Sequence, residues 1–98
     1  MDFYIEKVIN ALKSKGIFNE TYIHIIADHG GTIGANYHSK PRDDNILIPW
    51  IMVGPNIKKN YTIQSIPHSL DSAPTILKIF GGKSNWTWRG RVIDEIFE

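Results

Sequence analysis

An apolar run that ends in an acid and a histidine constrains the fold of this chain more than any other feature. Residues 22–27 are rich in isoleucine, and Asp28, His29, Gly30 and Gly31 follow directly. A short apolar run bounded by polar and glycine residues is typical of a buried strand. In open α/β sheets, ligands gather outside the carboxyl ends of strands. The two polar side chains therefore stand where a site is expected.

Two helices are predicted on either side of this run. Apolar residues recur at helical spacing over residues 2–15, and Gly16 stops that helix. A second helix is predicted over residues 72–80, with Asp71 as its N-cap and Gly81 as its stop. Helical segments at both ends of the chain favour a mixed α/β architecture.

Two further strands are predicted between the helices. Residues 46–53 form a second apolar run, and Pro49 within it predicts a strand that lies at a sheet edge or starts at the proline. Residues 61–66 are predicted as a short third strand. The order helix, strand, loop, strand, helix is typical of a mostly parallel sheet flanked by helices, so the predicted fold class is α/β. Residues 1–98 form one domain or one piece of a domain.

Composition removes several classes of function. The 98 residues carry a net charge of +1, which gives no signal for nucleic acid or an acidic membrane. The absence of cysteine excludes disulfides, thiolate metal sites and a cysteine nucleophile within these residues. The N-terminus lacks a signal-peptide pattern, while Asn-X-Thr sequons at Asn19, Asn60 and Asn85 matter only if a parent protein is exported. The compartment stays open.

The Asp28-His29 pair has the chemistry of a metal site. Gly30 and Gly31 permit backbone conformations that turn both side chains toward one point. A carboxylate oxygen with an imidazole nitrogen suits zinc or a similar divalent ion. His38, nine residues after His29, can return to the same place at the end of a glycine-containing loop. The alternative is an Asp turn followed by a surface histidine.

Several ordered motifs together resemble a known family. The stretches ADHGG, IPWIMVGPNIKK, DSAPTILKIFGG and WRGRVIDEIF, with His38 between the first two, resemble the C-terminal part of alkaline phosphatase superfamily enzymes. The pattern is most similar to the type I phosphodiesterase/nucleotide pyrophosphatase branch, which is akin to the sulfatases.

This resemblance implies a function and a ligand set. It implies a two-metal hydrolase that acts on a nucleotide or other phosphate ester, with zinc as the expected ion and manganese as the alternative. Asp28 and His29 would hold one ion, and His38 the other. The family nucleophile, a threonine or serine, lies far N-terminal to the Asp-His-Gly motif. No catalytic residue is therefore assigned here, and the substrate-binding residues stay unknown.

Three alternatives stay open at this point. A sulfatase or a phosphatase of the same superfamily would share the metals and change the substrate. A truncated binding module would have no activity, and it could fold alone or with a partner chain. Because the 98 residues would supply only part of the sheet that the resemblance implies, we expect the normally covered faces of the strand at 22–27 to be partly exposed and to favour self-association of the isolated chain.

The remaining histidines and the tryptophans receive other roles. His68 is reminiscent of a distant metal histidine of alkaline phosphatases, but it precedes a segment that looks structural, so we expect it to be dispensable for metal. His24 alternates within the strand and is expected to be packed or half-exposed. Packing roles are also predicted for the three tryptophans, Trp50, Trp86 and Trp88.

Overall fold

The computed structural model describes residues 2–30 and 47–98. This part of the chain contains two α-helices and two β-strands, joined by irregular segments and three short 3-10 turns. The α/β class is therefore confirmed. In chain order the elements are α1 (Asp2–Ser14), β1 (Ile23–Ile26), β2 (Trp50–Val53) and α2 (Ser72–Ile79).

Both helices end at glycines, as predicted. Gly16 and Gly81 have φ values of 71° and 76°, a left-handed conformation that costs glycine little because it has no Cβ. None of the 13 residues of α1 is buried, so this helix lies against the rest of the chain only lightly. No helix within the two described stretches is long and apolar enough to cross a membrane.

The two strands pair in an antiparallel sheet. Ile23 lies opposite Val53, and Ile26 lies opposite Trp50. The parallel arrangement expected from the element order does not hold for this pair. In the described part of the chain, α1 precedes β1 and α2 follows β2, so neither of these two helices joins the strands. The second strand is shorter than predicted and begins directly after Pro49, in agreement with the lost hydrogen-bond donor.

The predicted third strand over residues 61–66 is wrong. This segment is irregular, and the backbone amides of Gln64 and Ser65 donate to the carboxylate of Glu95 instead of to a neighbouring strand. A side-chain acceptor has thus replaced the sheet as the partner of these amides. Sequence periodicity does not contain this information, because Glu95 lies 30 residues after Ser65.

The core is small, and residues 91–98, called the C-terminal segment below, close one side of it. Its buried members are Ile57, Ile93 and Ile96, against which Trp50 and Met52 of β2 pack. An antiparallel bridge joins Ile57 to Phe97. The C-terminal segment therefore packs against the face of β2 that carries Trp50 and Met52.

The tryptophans divide into packed and exposed residues. Trp50 packs against the core and donates its indole N–H to the Ser72 hydroxyl at 3.0 Å, which confirms its predicted role. The packing prediction is wrong for Trp86, which is 93% exposed. Trp88 is also exposed.

Asp71 ties α2 to the C-terminal segment rather than capping the helix with its side chain. It makes no side-chain cap bond to α2, although it occupies the N-cap position. Its buried carboxylate accepts hydrogen bonds from the backbone amides of His68, at 2.8 Å, and Arg91, at 2.9 Å. The Asp71 carbonyl accepts a hydrogen bond from the Thr75 hydroxyl, which in turn accepts one from the amide of Ile93. The predicted cap is therefore a tertiary contact.

Candidate functional site

Asp28 and His29 lie just beyond the end of β1, as the sequence predicts. The distance from Asp28 Oδ2 to His29 Nε2 is 3.5 Å, and both side chains are exposed, 89% for Asp28 and 45% for His29. Asp28 Oδ1 accepts a hydrogen bond from the His29 amide at 3.0 Å. This bond fixes the carboxylate beside the imidazole. The two side chains thus turn toward one point after the strand ends.

A backbone contact orients the His29 ring. Its Nδ1 lies 2.6 Å from the carbonyl oxygen of Gly30. A carbonyl oxygen can only accept, so Nδ1 carries the proton in this contact. Nε2 is then the ring atom that faces Asp28. Metal-binding histidines are commonly held in this way, with one ring nitrogen on a backbone carbonyl and the other directed at the ion.

The separation of the two donor atoms suits a single divalent ion. Zinc binds imidazole nitrogen at about 2.0–2.1 Å and carboxylate oxygen at about 2.0–2.2 Å. The 3.5 Å between Oδ2 and Nε2 is shorter than the sum of two such bonds, so one ion can contact both atoms. Within residues 2–30 and 47–98, no group of three or more His, Asp or Glu is close enough to hold a metal. The pair therefore offers two ligands.

The pair lines one side of a pocket of about 480 Å³. Leu47 and Ile48 also line this pocket, and among the described residues the rest of the lining is the segment Ser65–Ser69, which includes His68. The volume lies within the range of about 300–1,000 Å³ that is usual for small-molecule sites. Sequence reasoning missed this second wall, because the segment follows Asp28 and His29 by more than thirty positions.

Glu95 anchors one end of the Ser65–Ser69 wall. One carboxylate oxygen of Glu95 accepts hydrogen bonds from the amide and the hydroxyl of Ser65. The other oxygen accepts hydrogen bonds from the Gln64 amide and the Tyr61 hydroxyl, both at 2.8 Å. The Ser65 hydroxyl, followed by the two amides, lowers the pKa of the Glu95 carboxyl to about 2. The hydrogen bond that the Tyr61 hydroxyl donates to Glu95 raises the pKa of Tyr61, since ionised Tyr61 would lose this bond and face a carboxylate.

Asp71 anchors the other end of the wall. It is only 3% exposed, and its carboxylate accepts the His68 amide as well as the Arg91 amide. The carboxylates of Glu95 and Asp71 thus hold Ser65 and His68, which lie close together in the chain. Neither carboxylate was predicted to position the site.

His24 is half-buried in β1, as predicted. Its ring packs edge-on against Trp50 at 4.7 Å. Its buried Nε2 has no hydrogen-bond partner among the residues that the structure describes, and burial lowers the pKa of the imidazole. Among the other predicted site residues, His38 lies outside the described part of the chain.

Comparison with known proteins identifies the family. The model of the sulfatase family matches residues 1–82. The human N-acetylglucosamine-6-sulfatase is 32% identical over 119 residues, which cover 97% of this chain and 21% of that protein. The extracellular sulfatase SULF-1 homolog of Drosophila melanogaster is 31% identical over 97 residues, 95% of this chain and 9% of that protein.

More distant relatives agree with these matches. An arylsulfatase of Chlamydomonas reinhardtii is 30% identical over 88 residues, 82% of this chain and 14% of that protein. The chain therefore spans about a fifth or less of the length of these relatives. No solved structure matches it at a significant level.

The comparisons support the predicted superfamily but not the predicted branch. The relatives are named as sulfatases, whereas the motif resemblance favoured phosphodiesterases and nucleotide pyrophosphatases. The Asp-His-Gly motif did not separate these branches, because both were expected to share it. The sulfatase family model matches most of the length of this chain, and the relatives are also sulfatases. The chain therefore belongs to the sulfatase family.

Proposed function

We propose that this chain is the part of a metal-dependent sulfuric ester hydrolase that supplies ligands to a divalent ion. Asp28 and His29 are the proposed ligands, and His38 is a further one. The observation that carries the proposal is the pairing of Asp28 Oδ2 with His29 Nε2 at 3.5 Å, at the end of a strand in a segment matched by the sulfatase family. The ring orientation imposed by Gly30 supports it.

The chain's own residues prepare the site for an anionic ester. The Gly30 carbonyl holds the Nδ1 proton of His29, so that Nε2 is the ring nitrogen on the side of Asp28. Leu47 and Ile48 give part of the pocket an apolar lining. A bound divalent ion would neutralise charge on the ester oxygens. These residues bind and orient, and no nucleophile is assigned among them.

Sulfate esters are the favoured substrates on the basis of the relatives. Their names specify sulfatase activity, on N-acetylglucosamine 6-sulfate in one group and on aryl sulfates in another. The prediction of a phosphodiester substrate rested on motifs, and none of the matched relatives described above carries that name. Phosphate esters are therefore retained only as comparison ligands in the experiments.

Calorimetric titration with zinc and manganese tests the proposal. We expect the 98-residue chain to bind either ion weakly. The Asp28→Asn and His29→Ala variants should lose at least about tenfold in affinity, the lower end of the loss seen when even a second-shell partner is removed. Asp2→Asn and His24→Gln are matched controls, with one carboxylate and one imidazole removed outside the pocket, and should bind as the wild type does. Equal affinity in all five proteins would refute the assignment.

A further inference from the structure

The pocket beside Asp28 and His29 has a second polar wall that the proposed function does not use. This wall is the segment Ser65–Ser69, in which His68 and Ser69 are both exposed residues that line the same 480 Å³ pocket as the metal pair. His68 comes from a segment remote from β1. The pocket therefore has potential metal ligands and hydrogen-bond donors on separate segments.

The second wall is preorganised by the two carboxylates. Glu95 accepts the Ser65 amide at 2.9 Å, and Asp71 accepts the His68 amide at 2.8 Å. The bond to the Asp71 carboxylate is made by the backbone of His68. The backbone is therefore fixed at a position where both His68 and Ser69 line the pocket. Donors on a fixed backbone bind an anion without a large ordering cost.

We propose that His68 is a substrate-binding residue, whose imidazole donates a hydrogen bond to an oxygen of a sulfate or phosphate ester held in this pocket. The inference rests on the proposed function, because it needs the ester to lie next to Asp28 and His29. An imidazole N–H and a serine hydroxyl are suitable donors to a tetrahedral oxyanion. The ion, held by Asp28 and His29 after β1, would contact the ester on one side of the pocket. His68, in the segment Ser65–Ser69, would donate to an ester oxygen on the other side.

This role differs from metal ligation. As stated above, the described residues include no group of three His, Asp or Glu that is arranged to hold one ion. His68 shares the pocket with Asp28 and His29 without being part of such a group. Removing its ring should therefore weaken ester binding and leave metal binding intact.

The test measures metal and ester binding on the same samples. Wild type, His68→Ala and His68→Gln are first titrated with manganese by calorimetry. The manganese-loaded ¹⁵N-labelled proteins are then titrated with p-nitrophenyl sulfate, or with p-nitrophenyl phosphate, and shifts of backbone amides outside the paramagnetic zone are followed by NMR. Because both variants keep the backbone amide of His68 that donates to Asp71, their spectra should show that the fold is kept.

We expect His68→Ala to bind manganese as the wild type does but to bind the better ester about tenfold more weakly, as expected for one lost hydrogen bond to a charged group. His68→Gln, which keeps an N–H donor, should lose less. The sulfate and phosphate arms identify which ester the pocket prefers, and His68 should matter for that ester. Thr62→Ala, which removes an exposed hydroxyl outside this pocket, is the control and should not change either affinity.

Two results would overturn the role of His68. One is ester binding that is absent in the manganese-loaded wild type or unchanged in His68→Ala. The other is a loss of manganese affinity in His68→Ala as large as that in His29→Ala, which would make His68 a metal ligand. A wild-type protein that binds no manganese would instead contradict the proposed function itself, so the two failures are distinguishable.

Discussion

The carboxylate of Glu95 accepts a hydrogen bond from the backbone amide of Ser65 at 2.9 Å, across 30 residues of chain. The same carboxylate accepts the Ser65 hydroxyl and the Gln64 amide. A residue in the last turn of the chain thereby fixes one wall of the pocket that contains Asp28 and His29. The C-terminal segment contributes to the site without entering it.

Replacing Glu95 by glutamine should loosen this wall and lower the free energy of unfolding at neutral pH. A carboxamide has only one acceptor oxygen, and its NH2 group would face the donors that now bind the second oxygen. Urea unfolding followed by circular dichroism measures the effect. Glu6→Gln, a change on the exposed surface of α1, is the control. A Glu95→Gln protein as stable as this control would show that the carboxylate does not hold the wall.

The stabilisation by Glu95 should depend on pH in a defined direction. The folded-state pKa is lowered to about 2 by the Ser65 hydroxyl and the two amides, from an ordinary value of 4.5. A lowered carboxyl pKa gives stability that is fully present above pH 4.5 and is lost as the pH falls toward 2. The difference in free energy of unfolding between wild type and Glu95→Gln should therefore shrink over this interval. A constant difference would contradict the assignment.

His24 should make the protein less stable in mild acid. Burial lowers the pKa of the folded-state imidazole below its ordinary value of 6.5, so the unfolded chain binds a proton more readily. Stability should then fall as the pH drops below about 6.5. In His24→Phe this slope between pH 7 and pH 5 should become smaller, which parallel unfolding curves would detect. An unchanged slope would place its origin in another group.

Thr75 should be one of the most sensitive positions in α2. Its hydroxyl is fully buried, donates to the Asp71 carbonyl and accepts the Ile93 amide at 3.1 Å. Thr75→Val keeps the shape of the side chain but leaves the Ile93 amide without an acceptor, so the free energy of unfolding should fall by about 1–3 kcal/mol. Thr62→Val, at an exposed position, should change stability by less than about 0.5 kcal/mol. Denaturant unfolding of both variants provides the comparison, and equal losses would refute the role of the buried hydroxyl.

The isolated chain should self-associate and should hydrolyse esters very slowly. Ile51 and Val53 of β2 are 47% and 46% exposed, and in the described part of the chain the sheet has two strands. Sedimentation velocity should show oligomers that Ile51→Lys shifts toward monomer, while Phe80→Lys outside the sheet does not.

Assays of the isolated chain with p-nitrophenyl sulfate and bis-p-nitrophenyl phosphate should show little turnover, because no nucleophile is assigned in these residues. Turnover that is lost in Asp28→Asn would contradict this expectation.

Local signals in the sequence predicted the local features of the structure. Glycine at Gly16 and Gly81, and the proline before β2, determine backbone conformation within a few residues, so the element ends were predictable. The Asp28-His29 pair was also predictable, since both residues lie next to each other at a strand end. Adjacent residues need no knowledge of the tertiary fold.

Long-range partners could not be predicted in this way. Antiparallel pairing of β1 with β2 depends on which strands meet, and the sequence pattern of each strand is the same for either direction. The third strand was predicted wrongly because Glu95 supplied the hydrogen bonds that a strand would otherwise provide. His68 was treated only as a metal candidate, because its place in the pocket depends on the Asp71 and Glu95 contacts.

The measurement that tests the account most directly is the location of a bound paramagnetic ion. Manganese titrated into the ¹⁵N-labelled chain should first broaden the amides of Asp28, His29 and Gly30, and then those of Ser65, His68 and Ser69 across the pocket. The Asp28→Asn protein should lose this pattern, and Asp2→Asn should keep it. Broadening that begins elsewhere, or that is the same in wild type and Asp28→Asn, would contradict the claim that this pair binds the metal.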